Sequence, residues 1–431
     1  MFSPTIFSMR FAWFFVLFIS FWPWEKDQNQ VKKSSFEIPQ DVQLLKVVRV
    51  ALFYEEPKIV IHAPSSYEVK EFPGNKTLVQ GQASADLAIR PEASGIQLDG
   101  TVYPISGLRI TSQSKEVQVA GKKYHNAIQV LKNPAGSLTI INEVDVEDYL
   151  KGVLPWEANP QWPVEALKAQ AVVSRTYALF KNIENKDFSF TLGSDVGSQV
   201  YKGKSIEHSL SNQAVEKTSG EILTYHGKIF PTFFHSTCGG RTTRADTQWK
   251  IHEHPSLKGV ECPFCQGSKY FSWKTEFSAS EIQKLLAKKG HSISGLHDIV
   301  PKDVDISGRP HSFTIKHSGG SLVLPANDLR LALGPDQMRS TMIQVEKKGE
   351  TFIFWGHGWG HGVGMCQFGA KRLAELGYKH QDILRYYFPD SEIRDLDEFP
   401  QAAAHTSAST QSKGNVFNRW YQGVKSYVED L

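Results

Sequence analysis

The sequence predicts an α+β protein, mostly antiparallel β-sheet, with a central helical patch that carries the candidate active-site loop. From about residue 42 to 145, short apolar runs such as "KIVIHA" and "YEVKEF" alternate with turn residues, a pattern typical of strands. Two helical stretches follow, "VDVEDYLKGVL" and "PVEALKAQAVVSRTYALFKNI". The loop "PWEANPQW" separates them and contains Glu157, and Pro163 is expected to open the second helix.

The N-terminal segment, residues 1–26, predicts export. After Arg10, residues 11–24 ("FAWFFVLFISFWPW") carry no charge, and this length suits a secretory signal better than a membrane span of about 20 residues. No small-residue cleavage site follows, so the segment is interpreted as a signal peptide or an N-terminal membrane anchor. The polar residues 27–41 are interpreted as a linker. The protein is therefore expected outside the cytoplasm, facing the periplasm or cell wall.

Short strands and turns are predicted again between residues 187 and 275. Helices are expected at 279–289, near 326–333, and in the two C-terminal runs "AKRLAELGY" and "HQDILRYYFP". One globular domain, residues 42–395, is predicted to contain all of these elements. Residues 396–431 form a Ser/Ala-rich linker followed by an amphipathic helix.

Composition excludes some classes of protein. Hydrophobic residues make up 40% and charged residues 22% of the 431 residues, which is incompatible with wholesale disorder. The formal net charge is only +3. This charge is too small to predict nucleic-acid binding, and no nucleic-acid partner is expected.

The chain has four cysteines: Cys238, Cys262, Cys265 and Cys366. "CPFC" is a C-x2-C pair, so Cys238, Cys262 and Cys265 together with His235 or Cys366 are a candidate structural zinc site, with His235 taken as the fourth ligand. Reduced thiols or one disulfide are the alternatives.

The glycine run "GWGHGVGMCQFGA", residues 358–370, is ambiguous on its own. His357 and His361 are four residues apart, but the alternating glycines disfavour a helix and therefore a pair of metal ligands on one helix face. Backbone that bends sharply or lets a polymer approach closely fits the pattern, and so does a tight turn beneath the following helix.

Glu157 is the better candidate for chemistry. It lies between prolines and is flanked by Trp156 and Trp162, with no basic residue from 154 to 165. Apolar surroundings raise the pKa of a carboxyl group, which allows it to act as an acid near neutral pH. Glu165, by contrast, is explained by its place in the first turn of a helix.

These segments, together with "SQVYKG", "FFHSTCGGRT" and "SGRPHSF", resemble the stage II sporulation protein D family, which also contains the amidase enhancers. The resemblance runs from about residue 45 to 392. It implies an exported cell-wall protein, and for the active members a lytic transglycosylase that cuts peptide-stripped peptidoglycan glycan strands and needs no cofactor for catalysis. Glu157 matches the family's catalytic acid.

The resemblance also implies a set of groove residues. Those expected to bind substrate are Arg175, Tyr177, Gln199, Tyr201, Ser236, His361 and Gln367. Two departures from the family pattern stand out: Ala158 replaces a usual methionine, and Cys366 replaces a usual serine. The His and Cys ligands that some members carry before Q-x-Y are absent from "LGSDVGSQVY".

Three functions follow as hypotheses. The first is a glycan lyase with Glu157 as acid and base, in sporulation or division, with an amidase acting upstream and the membrane contacted through the N-terminus. The second is a non-catalytic, wall-binding enhancer of an N-acetylmuramoyl-L-alanine amidase. The third, a metal-dependent hydrolase using His235, His357, His361 and cysteines, is disfavoured because no H-E-x-x-H or similar pattern occurs.

Overall fold

A computed structural model describes residues 46–194, 199–249 and 253–398. The predicted export segment and the linker to residue 41 lie outside these residues, as does the C-terminal segment beyond 398. The described chain is α+β, with several antiparallel sheets. None of its described helices is long and apolar enough to cross a bilayer.

The N-terminal half forms an 11-stranded sheet, as the alternating apolar runs predict. All its neighbouring strands are antiparallel except β11, which runs parallel to β1. Apolar side chains such as Val48, Ile61 and Ile110 are fully buried on it. The strands are β1 (Val47–Glu56), β2 (Ile59–Ala63), β3 (Tyr67–Glu71), β4 (Thr77–Gly81), β5 (Ala85–Glu92), β6 (Gly95–Leu98), β7 (Thr101–Tyr103), β8 (Gly107–Val119), β9 (Lys122–Lys132), β10 (Leu138–Asp145) and β11 (Leu192–Gly193).

Helix α3 (Val164–Glu184) is buried along most of its length, which explains why apolar residues occur on several of its faces. Its most extensive contacts are with four other helices and one strand. These elements are α1 (Val146–Lys151), α4 (Ser209–Lys217), α8 (Gln367–Glu375), α9 (His380–Tyr387) and β12 (Glu221–Tyr225). Helix α4 falls where the sequence predicted only strands and turns, so that part of the prediction was wrong. The two predicted C-terminal helices are confirmed as α8 and α9.

Smaller sheets surround this helix. Strand β12 pairs with β13 (Lys228–Ile229) and β22 (Glu392–Asp395), and β14 (Phe234–His235) runs parallel to β21 (Met365–Cys366). A one-turn helix, α2 (Leu154–Glu157), precedes α3, and another, α5 (Ala245–Gln248), follows β14.

Residues 272–357 build a separate hydrophobic cluster, which we call the inserted unit. Its strands form two three-stranded antiparallel sheets. The helices predicted at 279–289 and 326–333 are confirmed as α6 (Ala279–Ala287) and α7 (Ala326–Leu333). The strands are β15 (Ser272–Ser278), β16 (Leu296–Val304), β17 (Pro310–His317), β18 (Gly320–Pro325), β19 (Ile343–Lys348) and β20 (Thr351–His357).

Candidate active site around Glu157

Glu157 is the last residue of the one-turn helix α2. Pro155 occupies the first turn of α2, where its missing N–H has no helical partner to lose. The chain becomes extended at Ala158. Asn159 then accepts a hydrogen bond from the Gln161 N–H (2.9 Å), and Pro163 precedes α3 as its cap. The prolines and the Asn159 turn therefore fix the backbone that presents Glu157.

The environment of Glu157 keeps its carboxyl group protonated near neutral pH. Burial raises the pKa of Glu157 to about 7, opposed only by a hydrogen bond that the Val200 N–H donates to Oε1 (3.1 Å). Within the described residues, no cation contacts this carboxylate. The residue as a whole is half-buried and so partly accessible to solvent.

Gln367 fixes the turn from the other side of the site. Its Nε2 donates to the Glu157 carbonyl oxygen (2.9 Å) and contacts the Gln170 side-chain oxygen (3.3 Å). Gln170 in turn donates to Ser174 Oγ (3.1 Å). The glycine run is thus joined to the Glu157 turn by a hydrogen bond between residues far apart in sequence.

Two buried phenols interact electrostatically with the carboxyl group. Burial raises the pKa of both Tyr149 and Tyr177, and the charge of Glu157 adds to each shift. The Tyr149 hydroxyl donates to Gln199 Oε1 (3.1 Å), which leaves the buried Gln199 Nε2 without a partner among the described residues. Gln199 therefore has a free N–H donor beside Val200.

A row of half-buried aromatic side chains begins beside this turn. Trp162 packs edge-on against Phe368 (ring centroids 5.2 Å apart), Phe368 against Tyr270 (6.0 Å), and Tyr270 against Trp359 (4.4 Å). We call these four residues the aromatic row. Lys371 lies over the Trp162 ring, 5.9 Å from its centroid. The row extends from the Glu157 turn to the glycine run.

Arg175 does not line the site, which corrects the sequence prediction. Its side chain is fully buried, and Nε and Nη2 bind the two oxygens of Glu147 at 2.8 and 2.6 Å. The remaining contacts go to the carbonyl oxygens of Glu221 and Val215. With four hydrogen bonds and no exposed surface, this guanidinium joins α1 to α3 and does not face the site.

Tyr201 is likewise a core residue. Its hydroxyl donates to Asn142 Oδ1 (2.7 Å), and its ring packs on Tyr149 (5.1 Å between centroids). Tyr177 is also buried, against Phe233. Neither ring is available to stack on a sugar.

Ser236 and His361 lie farther along the glycine run. The Ser236 carbonyl accepts the Phe368 N–H (3.1 Å), while its hydroxyl contacts Thr237 (3.3 Å). His361 packs on Trp249 and Phe233, and Phe233 separates it from the Tyr177 ring beside Glu157. Burial holds the pKa of His361 well below its usual range, so the ring is neutral.

The glycine run is not helical, as its sequence predicts. Gly358, Gly360, Gly362 and Gly364 all have positive φ. At Gly364 an added Cβ would lie 2.1 Å from the Phe233 carbonyl oxygen, so glycine is required for the parallel pairing of β21 with β14.

Three of the four predicted metal ligands lie together with Cys366, whereas the fourth, His235, does not belong to this cluster. Cys238, Cys262, Cys265 and Cys366 are buried, and their sulfur atoms all lie within 4.8 Å of one another. His235 is not among them: its Nδ1 bonds to the Val363 carbonyl (3.0 Å), and burial lowers its pKa to about 3. The His235 ring packs edge-on against His361 (5.5 Å between centroids), and its nitrogen atoms are not among the clustered ligand atoms.

Sequence reasoning missed Glu147, Tyr149, Gln170 and Tyr270. Glu147 resembles any acidic residue in the first turn of a helix, and only its pairing with the buried Arg175 distinguishes it. The partners of Tyr149, Gln170 and Tyr270 are distant in sequence, so no spacing pattern indicates them.

Comparison with known proteins gives matches over most of the chain. A family model described as stage II sporulation protein matches residues 134–225, and a model for a domain of unknown function matches residues 262–364. An uncharacterized protein of Brachyspira hyodysenteriae is 29% identical over 81% of this chain and 94% of its own. Stage II sporulation protein D of Bacillus subtilis is 30% identical over 67% and 87%, and the amidase enhancer of the same organism is 28% identical over 57% and 40%.

Proposed function

Because the chain belongs to the stage II sporulation protein D family, we propose that it is a peptidoglycan lytic transglycosylase. Its substrate would be peptide-stripped glycan strands, cut between N-acetylmuramic acid and N-acetylglucosamine. The products would carry 1,6-anhydro-N-acetylmuramic acid ends. The observation that carries the proposal is Glu157, a half-buried carboxyl group without a cationic partner among the described residues, whose pKa is raised by burial to about 7.

Glu157 would act twice in the reaction. Its protonated carboxyl group gives a proton to the glycosidic oxygen, and the C1–O bond of the muramic residue breaks. The resulting carboxylate then removes the proton from the muramic C6 hydroxyl, whose oxygen attacks C1 and closes the anhydro ring. The proton taken from the hydroxyl restores Glu157, so the cycle needs no water and no cofactor.

The absence of a second carboxylate supports this route over hydrolysis. Glycosidases that use water or a covalent intermediate place two carboxyl groups about 5–9.5 Å apart. Within the described residues, no other carboxylate lies close enough to Glu157 to shift its pKa. Glu165, eight residues later, is bound by Lys168 and His380.

The aromatic row is suited to hold the glycan. Sugar rings present apolar faces that pack on aromatic side chains, and Trp162 and Trp359 lie at the two ends of the row. Lys371 lies over Trp162, where its charge could bind the lactyl carboxylate that remains on a stripped muramic residue. Gln199 and Gln367 are proposed as contacts close to the scissile bond.

Location and partners follow from the substrate. A wall glycan lies outside the cytoplasm, so we propose that residues 1–26 direct export or anchor the protein at the membrane. An amidase must act upstream, because only removal of the stem peptides yields the stripped strand.

A direct assay tests the proposal. Purified wild-type protein and Glu157→Gln are incubated with peptide-stripped glycan strands, and the chain ends are identified by mass spectrometry. Glu165→Gln, a carboxyl group of the same helical region, is the matched control. We expect anhydro ends from wild-type and the control, and at most a small residual amount from Glu157→Gln. Reducing ends without the anhydro ring would indicate a hydrolase instead.

A second candidate, a non-catalytic enhancer of an amidase, is favoured by the similarity to the amidase enhancer. In that role Trp156, 48% exposed on α2 with Lys202 5.2 Å from its ring centroid, would belong to a binding surface. This role would be supported if wild-type and Glu157→Gln both left the glycan intact and both accelerated the release of stem peptides by an added amidase.

A further inference from the structure

The four cysteines have the spacing of a metal site. They come from three segments: the turn after β14, the "CPFC" turn, and the start of α8. A tetrahedral zinc ion with Zn–S bonds of about 2.3 Å places its sulfur atoms about 3.8 Å apart. Here all four sulfur atoms lie within 4.8 Å of one another, and Cys238 and Cys265 are 3.4 Å apart.

Hydrogen-bond donors point at the sulfur atoms. The backbone N–H groups of Cys238 and Gly369 donate to Cys366 Sγ at 3.3 and 3.4 Å, and the Tyr387 hydroxyl lies 3.1 Å from Cys262 Sγ. Metal-bound thiolates typically accept hydrogen bonds from donors of this kind. Only glycine fits at position 369, because a Cβ on Gly369 would lie 2.7 Å from Cys262 Sγ and 2.0 Å from the Tyr387 oxygen.

Arg309 gives independent evidence for negative charge at this place. Its guanidinium is fully buried and binds only neutral oxygens within the described residues: the carbonyl groups of Arg241 and Cys238 and the Ser307 hydroxyl. Its Nε has no partner there. Asp305 accepts the Arg309 backbone N–H (3.1 Å) and its charge acts on the guanidinium, but among the described residues no carboxylate bonds to the guanidinium itself. A buried cation is unfavourable unless negative charge nearby compensates it. A divalent ion bound by four thiolates carries a net charge of −2 and would supply that counter-charge.

We propose that Cys238, Cys262, Cys265 and Cys366 bind one zinc ion in a closed structural site, with Arg309 as its buried counter-charge. Four neutral thiols, or two disulfides, would leave Asp305 as the one negative charge acting on Arg309 among the described residues. Binding would release the thiol protons still present, because the ligands are thiolates.

The site would also fix the candidate active site. Cys366 directly precedes Gln367, whose side chain holds the Glu157 backbone. The zinc ion would thereby join the start of α8 to the "CPFC" turn and to the end of β14. This consequence rests on the function proposed above, whereas the metal site itself does not.

Metal analysis tests the site without any activity measurement. Full-length protein purified without chelator is measured for bound metal by mass spectrometry, and its thiols are titrated with a mercurial reagent in the native state. We expect about one zinc per chain, released as the four thiols react. Substitution by Co²⁺ should give thiolate-to-cobalt charge-transfer bands. A metal-free protein whose intact mass is lower by two hydrogen atoms for each pair of cysteines would contain disulfides. That result would overturn the proposal.

Two variants assign the ligands. Cys366→Ser should lower zinc content at least several-fold, while His235→Gln should retain it. Loss of zinc in His235→Gln with retention in Cys366→Ser would assign the fourth ligand to His235 and contradict the site as proposed. If Cys366→Ser does not fold, the thiol titration of wild-type still decides. A zinc-loaded wild-type protein without glycan cleavage would refute the proposed function and leave the metal site standing.

Discussion

Glu157 and Glu165 are eight residues apart, yet the protein gives their carboxyl groups opposite properties. Burial raises the pKa of Glu157 to about 7, and its carboxylate accepts one backbone N–H. Around Glu165 burial also acts to raise the pKa, but hydrogen bonds from Lys168 and His380 overcome it and lower the value to about 2. The first carboxyl group can carry a proton at neutral pH, whereas the second is a permanent anion that joins α3 to α9.

The two groups differ in their partners and also in their burial, which is deeper around Glu157. Glu165 has two cationic or donor groups within 3.0 Å, while Glu157 has none among the described residues. A carboxyl group left without such partners destabilises the fold and is therefore informative about function. The following predictions test this contrast in order of decreasing effect.

The largest effect is expected on turnover. Glu157→Gln removes the proton donor and should lower kcat for cleavage of stripped glycan by about 10²–10⁴-fold, a typical contribution of general acid–base catalysis. Glu165→Gln should retain kcat within about threefold, since Glu165 lies outside the proposed chemistry. Both are measured by release of anhydro ends, with circular dichroism to establish folding. Equal losses in the two variants would remove the proposed distinction.

The same pair should change stability in opposite directions. The folded state binds the Glu157 proton more tightly than the unfolded chain, so ionisation of Glu157 costs stability as pH rises from about 4.5 to 7. Glu157→Gln should therefore raise the free energy of unfolding at pH 8 by about 1–3 kcal/mol. Glu165→Gln should lower it by about 0.5–1.5 kcal/mol, allowing for solvent screening.

Denaturant titration of the three proteins at pH 8 measures this difference. If Glu157→Gln were less stable than wild-type at pH 8, the Glu157 carboxylate would be better solvated than its buried surroundings indicate.

The pH dependence of kcat/KM should follow the ionisation of Glu157. The protonated fraction is nearly complete below pH 6, is half at about pH 7, and falls about tenfold for each further pH unit. Activity should therefore decline on the alkaline side with a midpoint near 7. The residual kcat/KM of Glu157→Gln should not change with pH over this alkaline range. A midpoint near 4.5 would mean that burial does not perturb this group.

The smallest effect concerns His380, the partner of Glu165. Burial opposes protonation of this ring, but hydrogen bonds to Glu221 (2.9 Å) and Glu165 (3.0 Å) raise the pKa of His380 above its ordinary value. Its contribution is fully present below pH 6.5 and is lost as pH rises through the raised pKa. His380→Asn should thus lose about 1 kcal/mol of stability at pH 6 and less at pH 9, with turnover unchanged. Thermal unfolding at the two pH values tests this prediction, and an equal loss at both would contradict it.

Local patterns predicted most of the fold and the most distinctive site residue. Alternation of apolar residues indicated the strands up to β10, and "PVEALKAQ" indicated α3, because both signals arise from neighbours in sequence. Glu157 was identifiable for the same reason, since prolines and tryptophans flank it directly.

The contacts that define the site could not be predicted in this way. Arg175 pairs with Glu147, and Gln367 binds the backbone of Glu157, 210 residues away in the chain. Neither contact can be deduced from the spacing of residues in the sequence. For a related reason, the sequence analysis took His235 rather than Cys366 as the fourth ligand of the candidate metal site. His235 is close to Cys238 in sequence, but the β14–β21 pairing places Cys366 opposite it and brings that sulfur atom to the cluster.

The inserted unit has a consequence for how such chains diversify. Its first and last residues, Ser272 and His357, are directly paired on antiparallel strands, so the chain leaves and re-enters the rest of the protein at adjacent points. A module with this attachment can be gained, lost or exchanged in one genetic event, because a short turn could close the same gap. Its hydrophobic cluster is separate from the other two. Arg309 lies inside this unit and donates to the Cys238 carbonyl, so a chain that lost the unit would also lose this contact with the cysteine cluster.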